Sequence, residues 1–140
     1  MLPTTSPRRP PSAALLAQLQ SLFGDRFSTS LAVREQHARG ESPFPPLPPD
    51  AVVHAHSTED VVAVVRACAA ERVPVIAHGA GSSLEGNLLP VEGGISLDLS
   101  QMNQVLTSQP QDLTATVQAG MTREKLNEAL RDSGLFFPID

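Results

Sequence analysis

A chain of 140 residues has room for one domain with a real core and hardly for two. Its net charge of −5 and pI near 5.3 argue against nucleic acid and anionic lipid as main partners, and the lack of Trp and Tyr removes the stacking platforms of single-strand binders. Hydrophobic residues at 41% argue against disorder, no apolar run is long enough to cross a bilayer, and the single cysteine, Cys68, rules out an internal disulfide framework.

Residues 1–11 hold four prolines with Arg8 and Arg9 and read as a flexible leader. The two arginines, with no acid before Asp25, are a faint targeting signal, but Gln18 and Gln20 break the apolar stretch that a secretory signal needs. Leu15, Leu16, Leu19, Leu22 and Phe23 recur at helical spacing, with Ser12 as cap and Gly24 as the left-handed stop. The proline-dense residues 42–50 form an extended tether. A polyproline ligand is the other use of such a stretch, but no basic anchor flanks it.

Residues 52–56 read as a strand, and Ser57 with Asp60 has the spacing of a capping box. The helix that follows reaches about Arg72, with Val61, Val65, Cys68 and Ala69 toward the core. After Pro74, residues 75–77 make a second strand. Strand, helix, strand in so few residues is a right-handed βαβ unit, so these strands should be parallel. A glycine-rich loop occupies residues 79–87, Gly93 and Gly94 make a turn, and residues 95–99 alternate as a strand. Residues 113–117 form another strand. Thr122 caps a last helix that buries Leu126, Ala129 and Leu130 and stops at Gly134. No closing element follows, so the apolar faces of the last strand and helix should stay bare and the chain alone should be poorly soluble.

Glycines directly after a buried strand let consecutive amides point at an anion such as a pyrophosphate, and the hydroxyls of Ser82 and Ser83 add donors. Gly81 and Gly86 have the gap of a P-loop, but Asn87 and Leu88 stand where Lys and Ser or Thr are required. Gly79 and Gly81 open a dinucleotide fingerprint, but Leu84 holds the third glycine position, and Pro90, Gly93 and Gly94 interrupt any following helix. A long loop wrapping a phosphate-bearing cofactor remains, beside the plainer reading of glycines that serve tight turns.

The stretch Pro74-Val-Ile-Ala-His-Gly-Ala-Gly-Ser-Ser-Leu-Glu-Gly86 resembles the pyrophosphate loop of the FAD-linked oxidase superfamily, the vanillyl-alcohol oxidase type of flavin domain. Val52 to His56 with Ser57-Thr-Glu-Asp-Val resembles its opening strand and helix, and Gly93-Gly-Ile-Ser-Leu-Asp98 its third strand. Arg34-Glu-Gln-His37, Val117-Gln-Ala-Gly-Met-Thr-Arg-Glu-Lys-Leu-Asn127 and Leu130 to Asp140 are similar to the D-lactate dehydrogenase (cytochrome) and glycolate oxidase FAD-subunit branch. The resemblance implies an α+β chain. It would comprise a leader of residues 1–49, with one amphipathic helix and a Pro-rich tether, and residues 50–140 as the N-terminal part of a PCMH-type FAD-binding domain. That part would hold the βαβ subdomain and the beginning of the second subdomain, leaving the domain incomplete.

The resemblance further implies FAD held by main-chain amides at His78, Gly79, Ala80, Gly81, Ser82, Ser83 and Gly86, with Asn87 beside the flavin and Pro138 opening a second cofactor segment. Ala77, where the family often has proline, and Asn87, where a second glycine is common, are departures. The implied reaction is hydride removal from a D-2-hydroxy acid of the D-lactate or glycolate type. Electrons would pass to a cytochrome, quinone or electron-transfer flavoprotein, in the cytoplasm or at the membrane periphery. The rival reading is a truncated, non-catalytic remnant or a nucleotide-binding module. No catalytic base and no metal ligand set are visible. His54 and His56 share a strand face but lack a third ligand, His37 reads as a loop histidine with contact to substrate or cofactor as its other use, and Asp98 as an ordinary strand-end acid with a ribose hydroxyl as its other use. Cys68 reads as a packed thiol and Glu124, Lys125 and Glu128 as a solvated face.

Overall fold

The computed structural model describes residues 10–138, so residues 1–9 of the expected leader, and Ile139 and Asp140, lie outside the described residues. Helix α1 (Ala13–Phe23) begins where Ser12 Oγ accepts from the Leu15 amide at 3.0 Å and ends at Gly24, whose φ of +53° suits glycine. Leu15, Leu19 and Phe23 are buried along the i, i+4, i+8 line, whereas Leu22, expected on the same stripe, falls off its edge and is exposed. Two further elements were too short to leave a periodic signal: strand β1 (Phe27–Ser28) and helix α2 (Leu31–Gln36).

Strand β2 (Ala51–His54) is reached through the proline tether, which is pinned at its end. Arg34 Nε donates to the Pro49 carbonyl at 2.5 Å, and Asp50 exchanges two bonds with Gly94, amide to carbonyl at 2.8 Å and carboxylate from amide at 2.7 Å. Helix α3 (Thr58–Glu71) starts with Ser57 Oγ accepting from the Asp60 amide. The Asp60 carboxylate reaches back to the His56 amide and pairs with Arg26 of the turn after α1. The buried side of α3 is Val64, Ala67 and Cys68, and the expected Val65 and Ala69 face solvent. The helix is rotated from the predicted face because α1 lies beside it and closes over the 64–68 side.

Strands β3 (Val75–His78) and β4 (Ile95–Asp98) complete a sheet of order β1-β2-β4-β3, with β1 antiparallel and the other three parallel. The βαβ strands β2 and β3 are parallel as expected, but β4 is inserted between them. That central place buries all four residues of β4, Ser96 and Asp98 included, where alternation had suggested a half-exposed strand. Ala51, Val53, Ile95 and Leu97 form one face and pack against α1 and α3 as the core. Each large aliphatic side chain fully buried there contributes about 1.5–3 kcal/mol. Alternation turns Val52, His54, Ile76, His78, Ser96 and Asp98 to the opposite face, while His56 lies beyond the end of β2 and is exposed.

The C-terminal third forms a second layer. Strand β5 (Val105–Gln109) pairs antiparallel with β6 (Thr114–Val117), and helix α4 (Arg123–Leu130) follows, with Thr122 Oγ1 accepting from the Lys125 amide. Leu126 is buried, but Ala129 is exposed and Leu130 only half-buried, and Leu106, Leu113 and Phe136 are exposed. Gly120 joins the layers: its amide donates to the Met102 carbonyl at 2.8 Å, and a Cβ there would stand 1.8 Å from the Leu99 carbonyl oxygen.

Candidate functional site

His54, Asp98 and His78 are the last residues of β2, β4 and β3, and the register places them side by side across the carboxyl edge of the parallel strands. This is the edge at which open parallel sheets receive ligands. The loop of residues 79–87 leaves from the same edge. None of its backbone amides donates to a carbonyl or side chain among the described residues. Gly81 and Gly86 take φ of +76° and +74°, conformations that non-glycine residues adopt at a cost. The loop rests on residues 39–44. Gly40 lies against the Gly81 and Ser83 carbonyls, and the Phe44 ring covers Gly86 so closely that a Cβ there would sit 2.6 Å from Cδ2. Ser83 Oγ donates to Asn87 Oδ1, which staples the loop across its own bend.

Behind the loop, His37 at the end of α2 is buried between two acceptors. Its Nδ1 faces the Val33 carbonyl at 2.9 Å and its Nε2 faces Asp98 Oδ2 at 2.8 Å. Asp98 Oδ1 accepts from the Ser100 amide at 2.8 Å, and His54 Nδ1 lies 3.4 Å from Oδ2. Burial presses the His37 pKa down, but the Asp98 hydrogen bond, the Val33 carbonyl and the Asp98 charge outweigh it, so His37 titrates above the usual range. Burial likewise opposes ionisation of Asp98, yet the bonds from His37 and Ser100 hold its carboxyl well below the usual carboxylate range. His78 is pushed the other way, down, by burial and then by the charge of His37. Its ring centroid stands 4.5 Å from that of His37, both its ring nitrogens are buried, and the Gly79 backbone beside the ring offsets part of the downward push.

The structure therefore gathers His78, Gly79, Ala80, Gly81, Ser82, Ser83, Gly86 and Asn87 at one edge. The His78 carbonyl accepts from the Leu99 amide within the sheet, so what this residue turns toward the cluster is its ring. The Ser83 hydroxyl and the Asn87 carboxamide oxygen are engaged with each other, which leaves Ser82, exposed, as the hydroxyl facing outward. Pro138 lines a separate apolar recess of about 740 Å³, walled by β6, α4 and Phe137. His37, read as a loop histidine, and Asp98, read as a plain strand-end acid, are instead a buried pair. Their partnership depends on the order of the strands and on α2, neither of which spacing along the chain discloses.

Comparison with known proteins agrees with this geometry. The family described as FAD binding domain matches residues 49–140. Probable D-lactate dehydrogenase, mitochondrial, of Danio rerio is 42% identical over 127 residues, 90% of this chain and 26% of that protein. Glycolate oxidase subunit GlcD of Bacillus subtilis is 34% identical over 116 residues, 83% of this chain and 25% of its own length. The chain thus spans about a quarter of the length of these relatives. Among solved structures, alkyldihydroxyacetonephosphate synthase superposes with a TM-score of 0.81 at 25% identity, covering 98% of this chain and 28% of that one. p-Cresol methylhydroxylase superposes at 0.77 and 24% identity, covering 87% and 25%, and shares the fold. The α+β arrangement expected for a part of a PCMH-type domain is met. Among the described residues no helix is long and apolar enough to cross a membrane.

Proposed function

The chain belongs to the FAD binding domain family, and from that premise we propose that it supplies the pyrophosphate-holding part of a flavin-dependent oxidoreductase that converts a D-2-hydroxy acid to the 2-oxo acid. The observation that carries the cofactor reading is the run of backbone amides at residues 79–87 that find no acceptor among the described residues, at the carboxyl edge of a parallel sheet. A diphosphate needs several donors and an approach clear of side chains, and a loop with Gly79, Gly81 and Gly86 meets both needs. The residues fit the group. The amides of Gly79, Ala80, Gly81, Ser82, Ser83 and Gly86 would hold the phosphates, with Asn87 beside the flavin, the Ser82 hydroxyl as an outward donor and Pro138 opening a second cofactor segment. Bound flavin supplies the hydride acceptor, and the protein's part is to place it. Residues 50–140 are the flavin-domain portion in this reading, and residues 1–49 an extension whose α1 and β1 complete its core.

The substrate class rests on the relatives named D-lactate dehydrogenase and glycolate oxidase subunit. The acceptor is a cytochrome, a quinone or an electron-transfer flavoprotein, met in the cytoplasm or at the membrane periphery. The test is FAD uptake followed by flavin bleaching. The chain is titrated with FAD, and the loaded protein is offered D-lactate, L-lactate and glycolate under anaerobic conditions. FAD uptake that falls at least ~10-fold in Gly81→Val, whose φ of +76° a branched side chain resists, is expected. Uptake unchanged by that substitution would remove the loop from the site. Bleaching by L-lactate in preference to both other acids would overturn the substrate class.

A further inference from the structure

The carboxyl edge of the sheet carries a second constellation whose side chains the flavin reading does not use. We propose that His37, His54 and Asp98 bind one divalent transition-metal ion of the borderline class, with Zn²⁺ as the type. One ligand atom from each of the three residues lies within 4.8 Å of the other two, and His37 Nε2 and His54 Nδ1 both face Asp98 Oδ2. Zinc takes nitrogen at about 2.0–2.1 Å and carboxylate oxygen at about 2.0–2.2 Å, so ligand atoms on a tetrahedron stand roughly 3.3 Å apart. The separations of 2.8 Å for His37 to Asp98 and 3.4 Å for His54 to Asp98 bracket that spacing, and an ion would open the first by about half an ångström.

The groups behind the ligands are already set. The Val33 carbonyl faces His37 Nδ1 at 2.9 Å, which places the ring proton on Nδ1 and frees the Nε2 lone pair once that nitrogen is deprotonated. The Ser100 amide holds Asp98 Oδ1 and leaves Oδ2 toward the histidines. A ligating histidine tied to a backbone carbonyl and a ligating carboxylate tied to an amide are the outer contacts that orient metal sites. Two imidazoles and one carboxylate select against Mg²⁺ and Ca²⁺, which take oxygen ligands, and no thiolate joins them to draw Cu(I), since Cys68 is buried in the core between the helices and the opposite sheet face. His54 is a third exposed and gives the ion a way in.

The experiment is Zn²⁺ and Co²⁺ titration of the metal-stripped, tag-free 140-residue chain against a chromophoric chelator, with His54→Phe as the test variant and His56→Phe as the control. His54→Phe leaves the His37–Asp98 contact in place, and His56 is exposed beyond the strand. The proposal expects one equivalent bound by the wild type and by His56→Phe, a loss of at least ~100-fold in His54→Phe, and no response to Mg²⁺. Binding of less than one equivalent, equal binding by His54→Phe, or an equal loss in His56→Phe overturns it. If His54→Phe does not fold, the wild type alone decides: Zn²⁺ must protect His54, a third exposed, from acylation while exposed His56 stays reactive, mapped by mass spectrometry, and failure to protect His54 selectively overturns the site. FAD uptake is scored on the same proteins, so the metal site and the flavin reading fail separately.

Discussion

Replacing Gly94 by alanine should cost about 2–6 kcal/mol of folding free energy. The first part of that figure is backbone strain. Gly94 has φ of +107°, outside even the left-handed helical well, and a side chain held there costs about 1–3 kcal/mol. The second part is overlap. A Cβ at residue 94 would stand 2.3 Å from the Pro74 carbonyl oxygen and 2.9 Å from its carbon, and forced repacking costs about 1–3 kcal/mol. Neither partner can step aside cheaply. The Pro74 carbonyl accepts from the Ile95 amide at 2.9 Å, and Gly94 is clasped by Asp50 through two bonds. Gly79→Ala is the matched control, because nothing lies within 4 Å of its Cβ position and its φ is not positive, so a change within about 1 kcal/mol is expected. Urea unfolding followed by circular dichroism gives both values. A cost below about 1 kcal/mol for Gly94→Ala, or an equal cost at Gly79, would refute the reasoning.

Two more expectations concern titratable groups. Burial opposes ionisation of Asp60, but Arg26 and the His56 amide outweigh it and lower its pKa, so it stabilises the fold above the unfolded carboxyl pKa of about 3.9. The advantage of the wild type over Asp60→Asn in melting temperature should be full at neutral pH and vanish as pH falls below that value. An advantage that persists at pH 2 would show that the pair with Arg26 is not its source. Cys68 is raised to about 11, by burial first and then by the Glu71 charge, so at pH 8 about one thiol in a thousand is ionised. Thiol reagents should label it only at the rate of unfolding, with urea accelerating the reaction. Rapid labelling of the folded chain would place Cys68 outside the core.

Helix starts were the most legible feature of the sequence. Ser12, Ser57 and Thr122 each cap the helix expected of them, because a cap is a local device whose donor and acceptor lie three residues apart. Helix faces were less legible. Val65 and Ala69 satisfy the periodicity of α3 as well as Val64 and Ala67 do, and only the neighbour α1 decides between them. Strand β5 escaped notice because Val105-Leu-Thr-Ser-Gln109 neither alternates cleanly nor is buried, and it exists by pairing with β6.

The site divides along the same line. The glycine loop is a contiguous string, so its residues could be named from the sequence, and the structure adds that its amides find no acceptor among the described residues and that Ser83 and Asn87 are tied together. The histidine–carboxylate cluster is assembled from residues 37, 54, 78 and 98, and three of these meet only because β4 enters between β2 and β3 with a register that levels their last residues. Had β2 and β3 been neighbours, as the βαβ unit alone suggests, Asp98 would stand outside the pair and a carboxylate would not separate the two strand histidines. A buried, ionised Asp98 is tolerable there only because His37 reaches it from α2, so the six-residue helix that left no trace in the sequence pattern is what keeps the charge of the sheet edge balanced.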